Sequence, residues 1–192
     1  MGRDSVEDIQ LAILTARGVN GHLRRWGQRF PHVWLCRGSD SREGIPEARN
    51  AIFRRFRDDC GLPWLLMMDD DSVPVAQSEP LLDCREDIAG PHVVARTGRE
   101  AHAHCLSAAC VKISRRAVVE IRDPWFRYSR RPRACECSWF FHRAYRAGFR
   151  PVHVGVIGHR FPVVVLPGPV FKFDSEIRSM LQSAARDEHG EV

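Results

Sequence analysis

Apolar residues in this chain come in short blocks divided by polar, glycine-bearing segments, and the blocks switch between two periodicities. Gln10 to Thr15 (QLAILT) is a continuous apolar run ending at Ala16-Arg17-Gly18, which predicts a buried strand entering a loop. Leu23, Trp26 and Phe30 then recur at helical spacing, and His32 to Cys36 (HVWLC) predicts a second strand before a polar loop from Arg37 to Gly44. Pro46 suits the first position of a helix, Glu47 complements its positive end, and Ala48, Ala51, Ile52 and Phe56 mark its apolar face until Gly61 and Pro63. Trp64 to Met68 (WLLMM) is apolar without alternation, as expected of a strand covered on both faces, and it runs straight into Asp69, Asp70 and Asp71.

The second half repeats the alternation. Ile88 to Ala95 and Ala108 to Ser114 read as strands, and Ser114 is placed to cap a short helix through Ile121. Asp123 to Arg133, rich in proline, arginine and aromatics, reads as a loop. A helix from Cys137 to Ala147 stopped by Gly148 follows, then a strand from Pro151 to Ile157 that delivers Gly158-His159. Residues 170–192 predict an amphipathic tail helix capped by Asp174, with Ile177, Met180, Leu181 and Ala184 facing inward. Strands alternating with helices predict an α/β fold with a mostly parallel central sheet flanked by helices.

Composition narrows this picture. A chain of 192 residues, 44% hydrophobic, suits a single domain over 1–192 with one well-formed core. The seven cysteines are odd in number and show no paired CxxC spacing, and no apolar signal segment opens the sequence, so reduced thiols and a cytoplasmic location are expected. No apolar run approaches the roughly 20 residues that span a bilayer. The net charge of +5 is carried almost wholly by arginine, Lys112 and Lys172 being the only lysines, and it favours anionic partners without choosing among them.

The acidic triplet is where chemistry enters. Three adjacent carboxylates at the end of an apolar strand repel one another unless a cation or strong donors neutralise them. In open α/β sheets, ligands bind beyond the carboxyl ends of the strands, and Mg²⁺ or Mn²⁺ prefers such oxygen donors and shares itself with diphosphate oxygens. A solvated turn accounts for DDDS equally well on the triplet alone.

The company of the triplet favours the first reading. GIPEARN (Gly44 to Asn50), WLLMMDDDSVP (Trp64 to Pro74), EDIAG (Glu86 to Gly90), AACVKISRRAV (Ala108 to Val118), PWF (Pro124 to Phe126), ECSWFFHRAYRAGFRP (Glu136 to Pro151) and Gly158-His159 stand in an order that resembles family 2-like glycosyltransferases of GT-A fold. The resemblance, to a small member of bacterial or phage type, runs from the first strand to His159. It implies a Rossmann-like GT-A domain in which Asp69 and Asp71 are the outer positions of a DxD motif, with Asp70 between them. It further implies that His159 completes the metal site, that Thr15, Ala16 and Arg17 meet the nucleotide, and that Arg49 borders the donor pocket. The implied reaction is transfer of a sugar from a UDP- or GDP-sugar, with a divalent cation (Mn²⁺ or Mg²⁺), to an acceptor that is unknown: glycan, lipid or protein.

One position departs from the pattern. Relatives often carry a Glu-Asp pair at the start of the helix after the acceptor loop, the aspartate serving inverting enzymes as base. Here the pair is Glu136-Cys137, which leaves Glu136 as the candidate base by default, since a thiol with a free pKa of ~8.5 is a poor substitute. Inverting and retaining transfer both stay open. A histidine just after a strand is, out of context, more often a hydrogen-bonded or surface side chain than a ligand, and Trp125 and Phe126 are balanced between a sugar-stacking platform and ordinary packing. The alternatives are a degenerate GT-A domain that binds nucleotide without catalysis, a metal-dependent phosphohydrolase or nucleotidyltransferase, and a nucleic-acid-binding protein. The last is disfavoured because no recognisable nucleic-acid motif accompanies the arginines.

Overall fold

In a computed structural model, the chain is described over residues 6–16, 18–38, 41, 44–95, 100–101, 106–128 and 136–159. Eight strands, β1 (Ile9–Thr15), β2 (Val33–Arg37), β3 (Trp64–Asp69), β4 (Ser72–Pro74), β5 (Ile88–Ala95), β6 (Glu100–Ala101), β7 (Cys110–Ser114) and β8 (Val152–His159), form one sheet in the order β2-β1-β3-β7-β5-β8-β4, with β6 on β5. Among the described residues, five α-helices accompany them: α1 (Gly21–Gly27), α2 (Gly44–Asp59), α3 (Pro80–Asp83), α4 (Arg115–Glu120) and α5 (Glu136–Arg146). The tail helix expected over 170–192 lies outside the described residues.

Pairing β1 with β2 and β3, and β5 with β8, is parallel, whereas β7 runs against both β3 and β5. β1, β2, β3, β5 and β8 therefore share one direction, the mostly parallel sheet that the apolar runs predict. β7, β4 and β6 oppose them. The consequence for chemistry is that β3 and β8 end on the same edge of the sheet.

Packing on the two faces follows from side-chain alternation along the strands. Leu65 and Met67 of β3 face a cluster with Phe53 and Phe56 of α2, Ala117 of α4 and Phe140 of α5. Trp64, Leu66 and Met68 face a second one with Leu23 of α1 and Leu81 and Leu82 of α3. Local signals set the element ends. Asn20 accepts the Leu23 N–H at 2.9 Å and caps α1, Ser114 accepts the Ala117 N–H at 3.1 Å and caps α4, and Gly148 at φ +90° ends α5. Among the described residues, no helix is long and apolar enough to cross a membrane.

Trp125 and Phe126, balanced on sequence between platform and packing, are 0% and 1% exposed and belong to the core. Phe53 meets both rings, at centroid separations of 5.5 and 5.1 Å, and the Trp125 indole donates to the Val118 carbonyl at 3.1 Å. Asn50 holds the same loop, donating to the Phe126 carbonyl and accepting its N–H, each at 2.9 Å.

Candidate functional site

The apolar core of β3 gives way to carboxylates at the edge where β1, β3 and β8 terminate. β3 leaves the sheet at Asp70 and Asp71 and returns as β4, whose Ser72 pairs with His159 at the end of β8. That antiparallel register sets Asp71 beside the imidazole, with Asp71 Oδ2 3.1 Å from His159 Nε2 and both side chains 15% exposed. Two residues 88 positions apart in the numbering thus meet because a three-residue strand joins them.

The remaining carboxylates of the triplet point elsewhere. Asp70 faces the first-strand loop, accepting the Thr15 hydroxyl at 2.9 Å and the Ala16 N–H at 3.0 Å, while the Thr15 hydroxyl accepts the Gly18 N–H at 2.9 Å. Asn20 closes the same knot by donating to the carbonyls of Asp70 at 2.6 Å and Ser72 at 2.9 Å. Asp69 turns to α2, where Arg49 Nη2 reaches its two oxygens at 3.0 and 2.7 Å. The other arm of the same guanidinium binds Glu136 at the start of α5.

Arg49 is 4% exposed, and the two carboxylates are what let it stay charged there. Burial works against the cation, yet Asp69 first and then Cys137 and Glu136 hold its pKa above the ordinary arginine value. Its Nε is buried without a hydrogen-bond partner among the described residues, leaving one donor over. Tyr128 hydrogen-bonds Glu136 from the loop before α5, and burial together with that carboxylate pushes its pKa up to about 12, so it stays a neutral phenol near pH 7.

The sequence candidates therefore fall into three groups around the end of β3. Asp71 meets His159, Asp70 meets Thr15 and Ala16, and Arg49 meets Asp69 and Glu136, whereas Arg17 lies outside the described residues. Asp69 and Asp71, expected to work side by side, have their carboxylates engaged by different partners. Cys137 is 3% exposed and packed in the core with its sulfur accepting the Ala108 N–H at 3.4 Å, a placement that excludes it as a solvent-facing base. Sequence reasoning does not bring Tyr128 or Ser72 to this site: Tyr128 stands out only as an aromatic among the arginines of its loop, and the role of Ser72 follows from the β4 to β8 register alone.

Whether these residues suit a divalent cation depends on the charge they leave unmatched. Burial raises the Asp71 pKa, His159 pulls against that, and Asp69 and Asp70 add repulsion. A largely enclosed carboxylate pressed by two neighbours and facing an imidazole nitrogen is a donor set that a cation of the Mn²⁺ type fits. Among the described residues, no three His, Cys, Asp or Glu side chains converge as a metal site, and Asp71 and His159 stand as a pair.

No protein-family model matches the chain, and no curated protein matches it by sequence. Solved structures match it by fold. The chain is similar to A197 from STIV, with a TM-score of 0.57 at 12% identity over 86% of this chain and 97% of that one. The catalytic domain of Drosophila β1,4-galactosyltransferase 7, solved with xylobiose, gives a TM-score of 0.52 at 13% identity, covering 96% of this chain and 81% of that one. GalNAc-T7, solved with UDP, GalNAc and Mn²⁺, gives 0.50 at 14% identity, with 92% of this chain spanning 42% of the longer one. These likenesses show a GT-A-like fold.

Proposed function

We propose that this chain is a metal-dependent glycosyltransferase that takes a sugar from a UDP- or GDP-sugar. The observation that carries the reading is the Asp71–His159 pair, 3.1 Å apart on the strand edge where open α/β sheets bind ligands. Two of its structural neighbours, by their own descriptions, are glycosyltransferases, and one of them was solved with UDP and Mn²⁺.

Asp71 and His159 would hold the cation, which supplies Lewis-acid neutralisation of the charge that grows on a departing diphosphate. Asp70 keeps Thr15 and Ala16 in place at the end of β1, where the resemblance puts the nucleotide. Arg49 draws Asp69 and Glu136 together and so ties the metal edge to the start of α5. Glu136 is the candidate acceptor of the proton from the acceptor hydroxyl, although its carboxylate is buried and already engaged by the Arg49 guanidinium, which leaves it little room to meet an acceptor.

That last point favours one second reading, a GT-A-like domain that binds nucleotide sugar without turning it over. A panel of UDP- and GDP-sugars incubated with Mn²⁺ separates the two through release of the nucleoside diphosphate. Transferase function predicts Mn²⁺-dependent release that falls about 10²-fold or more in Asp71→Asn. Binding alone predicts a rise in melting temperature with no release. Neither release nor any Asp71-dependent shift would remove both readings.

A further inference from the structure

A groove of about 510 Å³ opens between the ends of α4 and α5, lined by Glu120, Ile121, Arg122, Arg143, Arg146 and Ala147. It lies away from the carboxylate edge. Ser114, just before α4, pairs with Trp64 at the start of β3, and α5 begins at Glu136 beside Asp69 but lines the groove with its last turn. Eleven residues of helix separate the two ends of α5 by roughly 16 Å.

Three guanidinium groups against a single carboxylate leave this groove with an excess of positive charge. Arg143 is part of the wall, its Nη2 donating to the Arg122 carbonyl at 2.5 Å and its head 5.9 Å from the Trp139 ring centroid. The side chains of Arg122 and Arg146 have no hydrogen-bond or ion-pair partner among the described residues, unlike those of Arg29, Arg49, Arg54, Arg57 and Arg116, each of which meets a carboxylate. Glu120 also acts on Arg116, which Asp87 already pairs. A helix C-terminus favours basic residues in its last turn, and this accounts for Arg143 and Arg146. It does not account for Arg122, which reaches the same groove from the segment after α4.

We propose that this groove binds a small anion carrying two or more phosphoryl groups. Each planar guanidinium can grip two phosphate oxygens, and several forks sharing one concavity match a polyphosphate better than a single carboxylate. The volume lies in the range of small-molecule sites, and a concave wall suits a compact ligand rather than a planar bilayer.

Calorimetric titration of the full chain with inorganic triphosphate tests the site, with a chelator present and at low salt so that the Asp71–His159 pair does not contribute through a cation. The expected result is one-to-one binding that weakens with added salt, is retained in Asp71→Asn, and loses about tenfold or more in affinity in Arg122→Gln/Arg146→Gln. Arg146→Gln alone, at an exposed position, keeps the test open should the double variant fold poorly; it should lose a smaller but measurable share. No binding, binding undiminished in both arginine variants, or binding abolished by Asp71→Asn would each overturn the proposal. Association with anionic phospholipid vesicles that triphosphate does not displace would overturn it too, by assigning the arginines to a membrane surface. Since the metal edge is held apart by chelator and by Asp71→Asn, this result stands independently of the proposed transfer reaction.

Discussion

Ser72 and His159 are paired across β4 and β8, and this register is what puts Asp71 within reach of the imidazole. The pairing depends on the turn that follows β4. Ser78 donates to the Val156 carbonyl at 2.6 Å, and Gly155 passes so close to the same turn that a Cβ there would lie 2.3 Å from the Gln77 carbonyl oxygen.

Gly155→Ala is accordingly expected to destabilise the fold by about 2 kcal/mol or more, combining a backbone clash with an unfavourable φ of +75°. Because the clash falls between β8 and the turn after β4, Mn²⁺-dependent stabilisation should weaken along with the melting temperature. Chemical denaturation with and without Mn²⁺ checks both; an alanine variant as stable as the parent would refute the tight approach.

Arg49 joins Asp69 and Glu136 in a nearly solvent-free position, so removing it strands two carboxylates. Arg49→Ala should cost roughly 3–5 kcal/mol, the range for breaking a buried ion pair from one side. Arg49→Lys should recover only part of this, because a single ammonium cannot span both partners with a fork. Urea titration of the two variants reads the difference directly, and a neutral Arg49→Ala would mean that the pair contributes no stability.

Tyr128 supplies the pH-dependent prediction. Its folded pKa is raised from 10.0 to about 12, so between those values the native state holds a proton that the unfolded chain releases. The linkage sign follows: its contribution is complete below pH 10, and stability declines as pH rises through the folded value. Tyr128→Phe should flatten that alkaline decline in melting temperature. Phenolate absorbance, read as parent minus Tyr128→Phe, should show the late-titrating group; a Tyr128 titration near 10 would contradict its contact with Glu136.

Much of the scaffold was readable from local pattern. WLLMM declared a strand covered on both faces, Ser114 and Gly148 marked a helix start and a helix stop, and Asp69 to Asp71 announced the charged edge, because burial period, capping and backbone permissiveness act within a few residues of chain. What the triplet does with its charges was not local. Asp69 goes to Arg49 on α2, Asp70 to the loop after β1, and Asp71 to the end of β8, three directions that depend on which strands lie beside β3. Identical side chains in succession carry no information about their partners. Only the crossing order of the sheet, with β4 folding back on β8, decided that a histidine far along the chain would face the last of them.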